Sequence, residues 1–176
     1  MSKTIISPQT TTSDSERLFN DISRIITTGQ LQANAAAGAI AIATYWNIGS
    51  RIVEEEQHGE SRAQYGERLI AALADKLSVV FGSNYSKRNL QYYRKFYLLF
   101  PDFKIVNELV HNLSWTHIRR LLSVASPEAR LWYLANASKG MWSTTTLNRN
   151  IASQYFERRL AAQRKNPDNA MTEAIA

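Results

Sequence analysis

The chain has no cysteine, which excludes disulfide staples and thiolate metal sites and fits a reducing compartment. Proline (four) and glycine (seven) are scarce among its 176 residues, so breaks between elements are few and each one is informative. No stretch approaches the ~20 apolar residues of a membrane span, and the opening SKTIISPQTTTSD lacks the apolar run of a signal peptide. These absences describe a soluble cytoplasmic protein with no membrane contact. Catalytic signatures are missing as well. There is no Gly-rich phosphate loop, no HExxH, no Gly-x-Ser-x-Gly, and His58, His111 and His117 are scattered. The expectation is a non-catalytic chain with no metal and no cofactor.

What is present is apolar residues at helical spacing, with hydrophobic content of 44%. No strand-like alternation of any length occurs, short extended pieces near 79–81 or 103–106 aside. The predicted fold is all-α, a multi-helix domain containing a helix-turn-helix, with room for a minor β-wing. One domain is expected over 15–160, after a disordered Ser/Thr-rich tail at 1–14 and before a frayed helix end and tail at 161–176.

The helix-turn-helix is expected at 65–100. Leu69, Ile70, Leu73, Leu77 and Val80 line one face of a first helix. Gly82 can adopt the left-handed conformation that ends it, and the Ser86 side chain can cap the next. In the second helix Leu90, Tyr93, Tyr97 and Phe100 form a buried stripe, while Arg88, Gln91, Tyr92 and Lys95 fall at i, i+3, i+4 and i+7 on another face. Arg reads guanine, Gln and Asn read adenine, and the first turn of a recognition helix enters the major groove. The candidate DNA readers are therefore Lys87, Arg88, Asn89, Gln91, Tyr92 and Lys95, with Arg94, Arg119 and Arg120 as phosphate contacts. The competing reading is an ordinary solvated surface helix in a basic protein.

Charge supports a nucleic-acid partner. Residues 1–83 hold 7 basic and 9 acidic side chains, a net of −2, whereas residues 84–176 hold 14 and 6, a net of +8. A localised positive field attracts phosphate. Double-stranded DNA is the preferred partner, because most aromatics fall on apolar stripes rather than on a stacking platform for RNA.

Upstream, a first helix is predicted from Glu16 to Thr28, with Leu18, Phe19, Ile22, Ile25 and Ile26 as its apolar side and Gly29 as its stop. A long helix over 30–57 comes next. Its Leu31, Ala35, Gly38, Ile42, Tyr45, Gly49 and Ile52 repeat as a heptad stripe rich in small residues, where another backbone could come close. A core seam or a homodimer seam would read alike. Glu54, Glu55, Glu56, His58 and Glu60 form the acidic cluster, and solvation rather than a metal is expected at such a helix end. Downstream of Pro101, a loop leads to a Ser114-capped helix with Trp115, Ile118, Leu121 and Leu122 inward and His117, Arg119 and Arg120 outward. A helix starting at Ser126-Pro127-Glu128 should bury Leu131, Trp132, Leu134 and Ala135. The last helix should run from Ser143, burying Leu147, Ile151, Tyr155 and Phe156 and exposing Arg149, Arg158, Arg159, Arg164 and Lys165.

Several of these segments, in order, resemble the N-terminal domain of YhcG-like bacterial proteins: Tyr45-Trp46-Asn47-Ile48-Gly49, 52–57, Tyr65-Gly66, 81–97, Leu113-Ser114-Trp115-Thr116-His117 and 142–158. The resemblance covers about residues 16–160. It implies a helical, helix-turn-helix-like module that targets a PD-(D/E)XK nuclease to DNA, in restriction or anti-phage defence. The nuclease domain with its metal-binding acids and lysine is absent from the sequence, so no cleavage activity is carried over. Thr144-Thr145-Thr146 also stands where family members tend to have an arginine after the Trp-Ser pair. The alternative function is a protein-interaction module that dimerises or docks a nuclease partner through the long helix.

Overall fold

The computed structural model describes residues 10–57 and 62–165. Eight α-helices and two short 3-10 turns account for it, and no strand occurs among the described residues, at the places considered for extended pieces or a wing or elsewhere.

α1 runs unbroken through Thr10–Gln57. The expected stop at Gly29 does not occur. A single glycine costs a helix interior only about 1 kcal/mol, and the alanine-rich segment after it propagates the helix past that point. The C-terminal half of α1 is the spine of the molecule, with Ile42, Ile52, Val53 and Glu56 buried along one side. The Ala/Gly stripe read from the sequence is therefore a core seam in this half. At Gly49 the helix meets the backbone of Tyr93 directly. From 15 to 34, by contrast, every residue of α1 except Ser23 is exposed.

α2 (Arg62–Phe81) and α3 (Lys87–Leu99) pack on this spine. Between them Gly82 takes a positive φ of 89°, a conformation cheap only for glycine, and a 3-10 turn spans Ser83–Tyr85. Ser86 starts α3 through its backbone, its carbonyl accepting from the N–H of Leu90 at 3.0 Å. Its side chain makes no cap, contrary to expectation. The Tyr93 hydroxyl instead ties the turn down, donating to the Asn84 carbonyl at 2.8 Å. The buried side of α3 is Leu90, Tyr93 and Phe96, with Phe100 just beyond it, while Tyr97 is only half-buried. In α2, Val80 lies 70% exposed instead of closing the stripe.

Pro101 ends α3 as expected. The segment after it is helical rather than a loop: α4 (Phe103–Leu109), capped by the Asp102 side chain, and a 3-10 turn at Val110–Asn112. α5 (Trp115–Leu121), α6 (Pro127–Lys139), α7 (Thr144–Ala152) and α8 (Tyr155–Lys165) close the second half around Ile118, Leu121, Tyr133, Leu134 and Leu147. The single last helix expected from the sequence is two, because Gln154 takes a left-handed φ of 50°; Tyr155 is consequently 41% exposed. In α6 the core residues are Ala129, Tyr133, Leu134 and Ala137, with Leu131 turned to solvent.

Trp115 joins the two halves. It packs edge-on against Tyr45, Tyr93 and Phe96 at 4.9, 5.2 and 5.6 Å, and Tyr45 and Tyr93 stack in parallel at 4.3 Å. Such pairs fix orientation beyond the area they bury. They lock α3 between α1 and α5, which sets the position of its outward face. The tail segments 1–9 and 166–176, together with His58 and Glu60, lie outside the described residues.

Candidate nucleic-acid interface

Arg88, Tyr92 and Lys95 stand at i, i+4 and i+7 on the side of α3 that faces α5. α5 and the residues just after it present Thr116, Arg119, Arg120 and Ser123, again at i, i+3, i+4 and i+7. The two rows enclose a recess of about 460 Å³ that Asn148 of α7 completes. Four cations, two hydroxyl side chains, an amide and a phenol thus converge, and no carboxylate lines the wall. Unopposed cations in a concave site concentrate field and favour an anionic ligand.

Tyr92 organises the recess. The Arg119 guanidinium carbon lies 4.7 Å from the ring centroid and that of Arg88 5.8 Å, so two planar cations are held near one aromatic ring. The neighbouring Arg88, then Arg119, hold the phenol below its usual ionisation range. An anion drawn between the two guanidiniums should push it back up, since a nearby negative charge disfavours phenolate. Selective NMR labelling of the tyrosine rings tests this. Tyr92 is expected to ionise at lower pH than an exposed tyrosine, and Arg88→Gln or added phosphate should each raise its midpoint. A midpoint indifferent to both would mean that the guanidiniums do not act on the phenol.

Of the nine residues singled out from the sequence, the recess brings together Arg88, Tyr92, Lys95, Arg119 and Arg120. Lys87 and Gln91 are exposed on the same helix outside the recess. Asn89 turns back, its amide donating to the Ser83 carbonyl at 3.4 Å. Arg94 lies elsewhere, its Nε donating to both carboxylate oxygens of buried Glu56 at 2.9 and 2.6 Å. It ties α3 to the end of α1 and is already paired, so it is not placed for a phosphate. Sequence reasoning missed Thr116, Ser123 and Asn148. The first two are readable from their spacing with Arg119 and Arg120, whereas Asn148 arrives through tertiary packing alone.

His117, expected outside, is buried. Its Nδ1 accepts from the Ser114 N–H at 3.0 Å and its Nε2 lies 2.9 Å from the Trp142 carbonyl, to which it donates. A ring with one acceptor and one donor nitrogen is the neutral tautomer. The histidine caps α5 and pins the loop before α7, which is a scaffold role for the recess.

The described carboxylates of the acidic cluster, Glu54, Glu55 and Glu56, are spent on ion pairs. Arg51 bridges Glu54 and Glu55, and Glu56 holds Arg94. No group of three or more His, Cys, Asp or Glu side chains suited to a metal occurs among the described residues. No described helix is long and apolar enough to cross a membrane.

An all-α domain with a basic recess between two short helices is the class that fold and site define. Residues 21–158 match the family described as DUF1016 N-terminal domain, and the chain belongs to it. It is 30% identical over 185 aligned positions to the Escherichia coli K12 protein named "Putative nuclease YhcG", an alignment that takes in 89% of this chain and 49% of that protein. The chain thus spans about half the length of the curated relative it matches. It is a nuclease-associated domain by kinship. No solved structure matches it.

Proposed function

We propose that the chain is a non-catalytic DNA-binding module, in which α2, the Gly82 turn and α3 act as a helix-turn-helix with α3 as the recognition helix. The observation that carries this reading is the carboxylate-free recess of Arg88, Lys95, Arg119 and Arg120 alongside the first turns of α3. Lys87 and Gln91, exposed on that helix, extend the surface toward a groove, where amide and guanidinium side chains read base edges. The paired guanidiniums of the recess take the phosphates, which give affinity without sequence information. Kinship with a protein named as a putative nuclease supports a nuclease-associated role, and on this reading the chain is the domain that brings a nuclease to DNA, in restriction or anti-phage defence.

Fluorescence-anisotropy titration against duplex DNA, single-stranded DNA and duplex RNA at several salt concentrations tests the proposal. Duplex DNA should bind best, with affinity falling steeply with salt, at a slope of about one per phosphate contact neutralised. Arg88→Ala and Lys95→Ala should each lower that slope by about one. The double reversal Arg88→Glu/Lys95→Glu should weaken binding by about a hundredfold. No binding at low salt, or binding indifferent to the double reversal, would overturn the reading.

A further inference from the structure

The exposed half of α1 carries large apolar side chains that its own domain does not cover. Leu18, Phe19, Ile22, Ile25 and Ile26 are 45–71% exposed, and Ile40 is 68% exposed. At 100° per residue, Phe19, Ile22, Ile26, Ala33, Ala36 and Ile40 form one stripe at alternating steps of four, three or seven, completed by Gly29. That stripe lies on nearly the opposite side of α1 from Ile42, Gly49 and Ile52, which face the core. The projecting segment is thus amphipathic in the wrong sense for its own domain.

A second feature lies on the same side of the same helix. Between the C-terminal half of α1 and α2 runs a groove of about 620 Å³, floored by Ile48, Leu69, Leu73 and Leu77 and walled on α1 by Thr44 to Glu55. It is mostly apolar, the kind of surface an amphipathic helix lays its apolar face against, and is distinct from the basic recess. The arm of the same molecule cannot fill it. Ile22 and Ser50 are about 42 Å apart along one continuous helix at 1.5 Å per residue.

We propose that the occupant is the arm of a second copy, in a two-fold dimer built on antiparallel α1 helices. The arm is centred on Ile22 and the groove's α1 wall near Ser50, so their midpoint falls at Ala36. An axis there places each arm in the other molecule's groove and satisfies both at once, which closes the assembly at two. The helices cross where Gly29, Ala33, Ala36 and Ala37 present almost no side chain, so the backbones can approach closely. Roughly 100 Å² of apolar surface on each of six arm and stripe side chains, plus the groove it fills, amounts to about the 800 Å² per partner of a stable interface. The assembly is independent of the DNA-binding reading, and either can fail alone.

Sedimentation velocity on the full chain is expected to show a dimer of the 20.0 kDa protomer at micromolar concentration. Ile22→Asp/Ile26→Asp should sediment as a folded monomer whose cooperative melt no longer depends on protein concentration, because those side chains belong to neither core cluster of their own domain. Since the native chain has no cysteine, single introduced cysteines report the register. Ala36→Cys should cross-link to itself across the axis, and Ala33→Cys much less readily, its two copies being offset by about 9 Å along the helices. Phe19→Cys should not, its two copies being about 51 Å apart in an antiparallel pair. A monomer at all concentrations, a dimer that survives the double Asp variant, or preferential Phe19→Cys cross-linking, which marks a parallel arm-on-arm zipper, each overturns the proposal.

Discussion

Gly49→Ala is expected to lower folding stability by about 3 kcal/mol, and Gly49→Leu to leave no cooperatively folded domain. A Cβ at Gly49 would overlap the Tyr93 carbonyl oxygen, lie 2.8 Å from its carbon and 3.0 Å from the Tyr97 Cβ. The obstacle is helix backbone, which cannot rotate away like the end of a side chain. α1 and α3 would have to separate, and the stacked Tyr45 and Tyr93 and the edge contacts of Trp115 would open with them. In an uncrowded helix the same substitution gains about 1 kcal/mol, so the sign is diagnostic. Gly29, with nothing of its own chain within 4 Å of a built Cβ, is the control: in the Ile22→Asp/Ile26→Asp background, Gly29→Ala should increase helicity without loss. Urea denaturation followed by circular dichroism measures both. A Gly49→Ala protein as stable as the parent would mean that the two helices do not cross so closely. The change also bears on function, because α3 presents Arg88, Tyr92 and Lys95 only while α1 holds its back.

This close crossing is legible in the sequence. A glycine inside a heptad stripe has few uses other than admitting a neighbouring backbone, and the stripe Ile42, Gly49, Ile52 has the right period. The α2–α3 pair is legible for a similar reason, two amphipathic segments flanking a glycine that takes a positive φ. Gly29 misleads because local sequence cannot say whether a glycine ends a helix or is carried along by its neighbours. The opposed apolar faces of α1 are both present in the sequence. Only the structure shows that one is covered and the other is not.

The recess is half legible. Periodicity on α3 and α5 supplies the cations, since i, i+3, i+4 and i+7 are local facts. Which row faces which depends on packing across α1, α3 and α5, so spacing alone groups Arg94 with residues from which Glu56 separates it. Sequence places His117 outside because a polar residue on a short helix ordinarily is. Its burial rests on the Trp142 carbonyl, 25 residues away, a partner no spacing rule supplies. The net charge of the second half likewise overstates the surface field, because one of its arginines is inside.

That arginine is Arg130, only 5% exposed. Its replacement by leucine is expected to cost about 3 kcal/mol, through acceptors left unsatisfied rather than volume lost. Nε and Nη2 donate to the Val124 carbonyl at 3.1 and 2.9 Å, Nη2 also to Ala125 at 3.1 Å, and Nη1 to Leu99 at 3.2 Å. The fork therefore joins the last carbonyl of α3 to the segment between α5 and α6, and its charge sits at the negative end of α3. Burial lowers its pKa, yet a guanidinium stays charged at any ordinary pH, so the carbonyl dipoles are what compensate it. Leucine removes charge and donors together and leaves three part-buried carbonyls with no replacement. Arg130→Lys keeps the charge but loses the planar fork, and should fall between the two. Denaturant midpoints in the order parent, Lys, Leu with unchanged slope would establish the clamp. Leucine as stable as arginine would show that desolvating the cation cancels everything its four hydrogen bonds return. Because Arg130 holds α3 against the segment beyond α5, its loss should also loosen the two walls of the basic recess. The leucine variant is therefore expected to weaken DNA binding with no change in salt slope, since no phosphate contact has been removed.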